Sequence, residues 1–310
     1  MHAPPAAALP KRGRLLGETT QASPVGPGDR IGPHADHACD VVAATVQVQT
    51  PTRRSFLAAV AGLALAGPLP ACGVRQGRSQ PGERDHREAF LVARPGEPTE
   101  PFVGSGTHAL GLEEERDALL HVPAGLQRGQ AVPLVITLHG AGGDAEAGLG
   151  LLRSQADERG LLLLAPTSRG STWDAIRGGY GPDVRLIDRA LQHVFRAVAV
   201  DGERFAVAGF SDGASYALGL GLANGRLFSR AVAFSPGFVP QARREGAPRI
   251  FVSHGTADEV LPIKRTSRRI VPTLRDEGLD VTYREFPGPH TVPDDIAREA
   301  VDWLERDRPG

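Results

Sequence analysis

Ser211 stands at the centre of Gly209-Phe210-Ser211-Asp212-Gly213, a G-x-S-x-G pentad between two apolar runs of different character. Arg204 to Gly209 reads as a buried strand. Ala214 to Ala223 reads as an apolar helix that stops at Asn224-Gly225. Strand, sharp turn and helix in that order form a nucleophile elbow, where the turn lifts a serine hydroxyl above a sheet. The two glycines are needed because side chains there would collide with backbone crowded at the turn. With 38 Gly and 13 Ser in 310 residues, about 0.2 such pentads arise by chance. The surrounding residues must therefore carry the argument.

From about residue 88 the chain alternates strand-like and helix-like runs, which predicts an α/β domain with a mostly parallel sheet and helices on both faces. Strands are expected at 89–93, 118–122, 133–138, 161–165, 204–209, 230–234, 249–253 and 281–286. Helices are expected at 145–158, at 214–223 and at 294–304. A further helix, capped by Asp183, carries Val184, Ile187, Leu191, Val194, Phe195 and Val198 on one face. The unusual residues follow strand ends, where open α/β folds bind ligands. Residues 235–248 are too few for a cap domain, so an open or shallow site is expected.

An acid and then a histidine should follow the serine in this arrangement. Asp258 lies in the loop after the seventh of these strands, with Glu259 beside it. His290, in Gly288-Pro289-His290, follows the last strand. His290 would take the Ser211 proton and later return it to the leaving group, because a serine hydroxyl is a weak nucleophile unaided. Asp258 would hold the imidazole tautomer and stabilise its cation. The N–H groups of Asp212 and of Ala141 or Gly142, in His139-Gly140-Ala141-Gly142-Gly143, would bind the oxyanion. His139 and His254 precede glycines at strand ends and read as residues that shape those turns. Trp173 and Tyr180, in the long loop 167–180, and Phe238 are candidate walls of a substrate groove. An equal reading of Trp173 is a pin holding its loop to the core.

These motifs together resemble the phospholipase/carboxylesterase branch of the α/β-hydrolases, similar to exported polyhydroxybutyrate depolymerase-like and feruloyl-esterase-like proteins. The resemblance covers roughly residues 88–306. It implies an eight-stranded hydrolase core, hydrolysis of small or polymeric carboxylic esters, and no cofactor. It also favours Asp258 over Glu259, since Asp258 falls where the family pattern places the acid. A catalytically inactive binding module of the cell envelope is the competing class.

Composition excludes other classes. Lys and Arg total 35 against 36 Asp and Glu, which gives no electrostatic reason to expect nucleic acid. Both cysteines, Cys39 and Cys72, lie in the first quarter, so a disulfide framework is excluded beyond it. His34, His37 and Cys39 sit in a Pro/Ala-rich stretch and are assigned no metal. No P-loop or H-E-x-x-H occurs. Gly140-Ala141-Gly142 begins a dinucleotide fingerprint whose last position is Ala145 instead of Gly.

The N-terminal segments point to export. Residues 1–50, rich in Ala, Pro and Gly, are expected to be disordered. Residues 51–72 resemble a twin-arginine signal, with Arg53-Arg54 before an apolar run from Phe56 to Leu69 that is short for a bilayer span. Cleavage after Ala66 would release a soluble protein. Leu69-Pro70-Ala71-Cys72 resembles a lipobox that would acylate Cys72, although Pro70 departs from that pattern. Residues 73–87 read as a polar tether to a catalytic domain at 88–310. A twin-arginine pair this far in, with a single Met in the chain, suggests a start near Val42 or Val46.

Overall fold

Val132 to Leu138 is buried throughout and forms the strand beside which the elbow strand is laid. The computed structural model describes residues 89–306 except Phe102 and Arg128. The N-terminal extension, the twin-arginine-like segment, Cys72 and the tether lie outside the described residues. Eight strands form one sheet: β1 (Gly106–Ala109), β2 (Ala118–Val122), β3 (Val132–Leu138), β4 (Leu162–Pro166), β5 (Val200–Phe210), β6 (Arg230–Phe234), β7 (Arg249–Gly255) and β8 (Val281–Phe286). Their order is β1-β2-β4-β3-β5-β6-β7-β8. The β1–β2 and β2–β4 pairs are antiparallel, and every later pair is parallel.

Side chains alternate across the sheet because successive Cβ atoms point to opposite faces. Leu134, Ile136 and Leu138 of β3 join one apolar cluster, and Val135 joins the other. The first cluster takes up the apolar faces of α3 (Pro182–Ala197), α4 (Asp212–Ala223) and α5 (Ser267–Asp276). The second takes up α1 (Ala145–Gly150), α2 (Arg153–Arg159) and α6 (Asp294–Glu305). Every residue of α4 from Gly213 onward is buried, so the helix that carries the elbow is held on all sides. No helix among the described residues is long and apolar enough to cross a membrane.

Four expectations change. Residues 89–93 do not form a strand: the N–H of Leu91 donates to Asn224 Oδ1, and those of Val92 and Ala93 donate to Asp188 Oδ1. Side chains thus supply the acceptors that a neighbouring strand would have offered. The helix expected at 145–158 breaks into α1 and α2, with Leu152 outside helical backbone geometry. Asp183 does not cap α3. Its carboxylate instead accepts from the N–H groups of Arg169 and Asp174, and Gly181 holds the cap position. β1 and α5 are additional elements.

Candidate active site

The elbow begins where β5 ends. Ser211 has φ 57° and ψ −118°, a conformation that costs a non-glycine residue energy. It is tied down by its N–H, which donates to the Phe234 carbonyl at 2.9 Å. A Cβ on Gly209 would lie 2.2 Å from the Gly213 carbonyl oxygen, and one on Gly213 would lie 2.2 Å from that of Leu138. Both glycines are therefore obligatory, and the strained turn aims the Ser211 side chain away from the sheet.

Two further loops meet that hydroxyl. Nδ1–H of His290 donates to Asp258 Oδ2 at 2.6 Å, and its Nε2 accepts from Ser211 Oγ at 2.9 Å. Asp258, in the turn after β7, is buried and accepts the Leu261 N–H on Oδ1 at 2.7 Å. Burial alone would raise its pKa. The Leu261 and His290 hydrogen bonds, with the neighbouring imidazoles of His290 and His254, overcome that and hold it below the ordinary carboxylate value. Asp258 is thus the partner of His290 in this structure, and the adjacent Glu259 is exposed. The Phe210 ring lies 4.6 Å from the His290 ring and walls its other side.

The oxyanion candidates divide. Asp212 is the first residue of α4, so its N–H has no acceptor within the helix. Ala141 is exposed in the turn after β3, and its N–H has no acceptor among the described residues. Gly142 is not available for this role, because its N–H donates to the Ser171 carbonyl at 2.6 Å. Its φ of 74° turns that N–H toward the 167–181 loop.

That same loop corrects the groove walls. Trp173 is fully buried: its Nε1–H donates to the His139 carbonyl at 2.9 Å, and its ring lies 4.8 Å from His139 and 5.0 Å from Tyr216. Tyr180 is also buried and packs on Tyr216. Neither lines a groove; both anchor the loop. A location after a strand end does not say whether a side chain turns up to the site or down to the core. Phe238, by contrast, is 43% exposed, and its N–H reaches Ser215 Oγ one helical turn beyond the nucleophile.

The remaining polar groups hold these loops. His139 donates from Nδ1 to the Gly140 carbonyl and accepts the Ser168 N–H on Nε2. Burial keeps its pKa below the ordinary value. Thr172 Oγ1 donates to Asp212 Oδ2, engaging that carboxylate away from the reacting atoms. Sequence reasoning did not find Ser215, whose Oγ accepts the Gly237 N–H at 2.9 Å and lies 3.3 Å from the Ser211 carbonyl. Its spacing of four from Ser211 on one helix face is the signal that could have done so. Arg116, which donates to the carbonyls of Ser168 and Gly143, left no such signal. Among the described residues no His, Cys, Asp or Glu group is placed to hold a metal ion.

A hydroxyl, an imidazole and a buried carboxylate in hydrogen-bonded series, next to outward N–H groups, can carry out nucleophilic acyl transfer. The phospholipase/carboxylesterase family matches residues 184–305. No curated protein matches the chain. Among solved structures, esterase PE8 is 24% identical, with 60% of this chain and 95% of that one covered and a TM-score of 0.50. The substrate-bound fluorophosphonate-binding serine hydrolase F of Staphylococcus aureus is 14% identical, with 66% and 100% covered and a TM-score of 0.52. A truncated carbohydrate esterase from gut microbiota is 15% identical, with 68% and 98% covered and a TM-score of 0.53. These likenesses carry the fold. The chain has the α/β-hydrolase fold, and its residues 184–305 match the phospholipase/carboxylesterase family.

Proposed function

We propose that the protein is a serine hydrolase of carboxylic esters, acting through Ser211, His290 and Asp258. The observation that carries this reading is the continuous series from Asp258 Oδ2 through His290 to Ser211 Oγ, at 2.6 and 2.9 Å. Ser211 attacks the ester carbonyl while Nε2 of His290 takes its proton. Asp258 accepts the Nδ1–H throughout, so the imidazolium forms beside a fixed negative charge. The N–H groups of Ala141 and Asp212 receive the developing oxyanion. His290 then protonates the departing alcohol, leaving an acyl group on Ser211. Water, deprotonated by the same imidazole, releases the acid and restores the serine.

The link 235–248 contains no helix or strand, which supports an open site able to accept bulky or polymeric esters. Polyester depolymerase-type and feruloyl-type esters are the substrate classes proposed for such a site, and one protein of similar fold is itself a carbohydrate esterase. The twin-arginine-like segment and Cys72 support an exported enzyme, released from the cell or lipid-anchored in its envelope.

Hydrolysis of p-nitrophenyl esters of increasing acyl length by the full chain, beside Ser211→Ala, tests the reading. The variant should fold with an unchanged melting temperature and lose turnover by about 10⁴-fold or more. Undiminished turnover by Ser211→Ala, or no ester hydrolysis by the folded wild type, would contradict it. The latter result would favour the envelope binding module.

A further inference from the structure

We infer that His254, fixed by Ser267, positions the Asp258 carboxylate from both of its oxygens and so orients His290. This rests on the proposed serine-hydrolase reading and adds two residues to it. His254 is the penultimate residue of β7 and its side chain is fully buried, as is that of Asp258. Its Nε2 lies 2.8 Å from the Leu261 carbonyl and its Nδ1 lies 2.7 Å from Ser267 Oγ. A carbonyl can only accept, so the proton is on Nε2. Nδ1 is then an acceptor, and the Ser267 hydroxyl donates to it.

Leu261 passes the constraint on. While its carbonyl accepts the hydrogen bond from His254 Nε2–H, its N–H donates to Asp258 Oδ1 at 2.7 Å. The other oxygen, Oδ2, lies 3.1 Å from the same His254 Nε2 and 2.6 Å from His290 Nδ1. One imidazole therefore fixes the turn that holds Oδ1 and places its N–H edge beside Oδ2. A residue that only shaped the strand end would not need a locked tautomer. Loss of the Ser267 hydroxyl frees the other tautomer, which turns a lone pair toward Leu261 O and Asp258 Oδ2 and sets three acceptors against one another. The charges around this group are Asp258 and His290, Glu285 opposite His254 on β8, Arg268 of α5 bound to Glu285, and the exposed Glu259. None of these others reaches a hydrogen-bonding nitrogen of His254.

The test compares full-length wild type, Ser267→Ala, His254→Phe and His254→Gln, with kcat and KM on one p-nitrophenyl ester and fluorophosphonate labelling of Ser211. Ser267→Ala and His254→Phe should lower kcat by about tenfold to a hundredfold, as loss of an outer hydrogen bond does at other sites, with KM little changed. His254→Gln, whose amide N–H reaches the Nε2 position, should recover most of that loss. If His254→Phe fails to fold, Ser267→Ala and His254→Gln decide. Folded variants with wild-type kcat, or losses confined to KM, would overturn the inference while labelled wild type leaves the parent reading intact. An unlabelled, inactive wild type would remove both.

Discussion

Nε2 of His290 lies 2.9 Å from Oγ of Ser211, although 79 residues and two intervening strands separate them. Ser211 follows β5, whereas His290 follows β8, so the second loop must cross the ends of β6 and β7. It does so by passing close to β7, where Ala257 N–H donates to the Gly288 carbonyl at 3.0 Å. The close approach depends on Gly255.

A Cβ on Gly255 would lie 2.4 Å from the carbonyl oxygens of both Gly288 and Pro289. Gly255→Ala must therefore push the His290 loop outward. Steady-state kinetics should show turnover reduced by about 10²-fold, the cost of roughly an ångström of misplacement. Urea denaturation should show stability reduced by about 1–3 kcal/mol. Wild-type turnover in this variant would mean that the loop has slack that the contact distances deny.

Trp173 and Phe238 should behave oppositely. Trp173→Ala empties a fully buried site and removes the indole N–H that donates to the His139 carbonyl. It should cost about 3–5 kcal/mol in denaturant titration. Phe238→Ala removes a half-exposed ring and should leave stability within about 0.5 kcal/mol. Its effect should appear in KM for long or bulky acyl groups. A stable Trp173→Ala with altered acyl preference would restore Trp173 to the groove wall.

Asp174 gives a pH signature of its own. Burial foremost, with the nearby Asp183 charge adding, raises its pKa to about 6, against bonds from Asp183 N–H and Tyr216 Oη–H. A folded-state pKa above the unfolded one means that the folded protein holds the proton more tightly. The resulting stability is full below the unfolded value of 3.8 and is lost as pH rises through about 6. Denaturation across that window should show wild type losing stability relative to Asp174→Asn as pH rises. A constant difference between the two proteins would contradict the assignment.

The elements most legible in sequence were those whose composition admits one environment. β6 and β8 span residues 230–234 and 281–286, the bounds expected from the sequence. α3 shows its buried face at helical spacing. The residues around Ser211 could be read because the elbow needs glycine at two fixed places for steric reasons. β1, Gly-Thr-His-Ala at an exposed sheet edge, has no apolar alternation to reveal it. α5 carries three arginines and an internal Pro272, which mask the buried Ile270, Val271 and Leu274. Residues 89–93 have a strand's composition, but their hydrogen bonds go to two distant side chains. The direction of Trp173 and the donor direction of Gly142 depend on how one long loop folds back, and local residue types do not encode that.

The most direct test is reaction of the full chain with a fluorophosphonate, followed by mapping of the modified residue by mass spectrometry. The account predicts one adduct, on Ser211, that disappears in Ser211→Ala and forms far more slowly in His290→Ala. A folded wild-type protein that takes up no label, or takes it up on another residue, would contradict it.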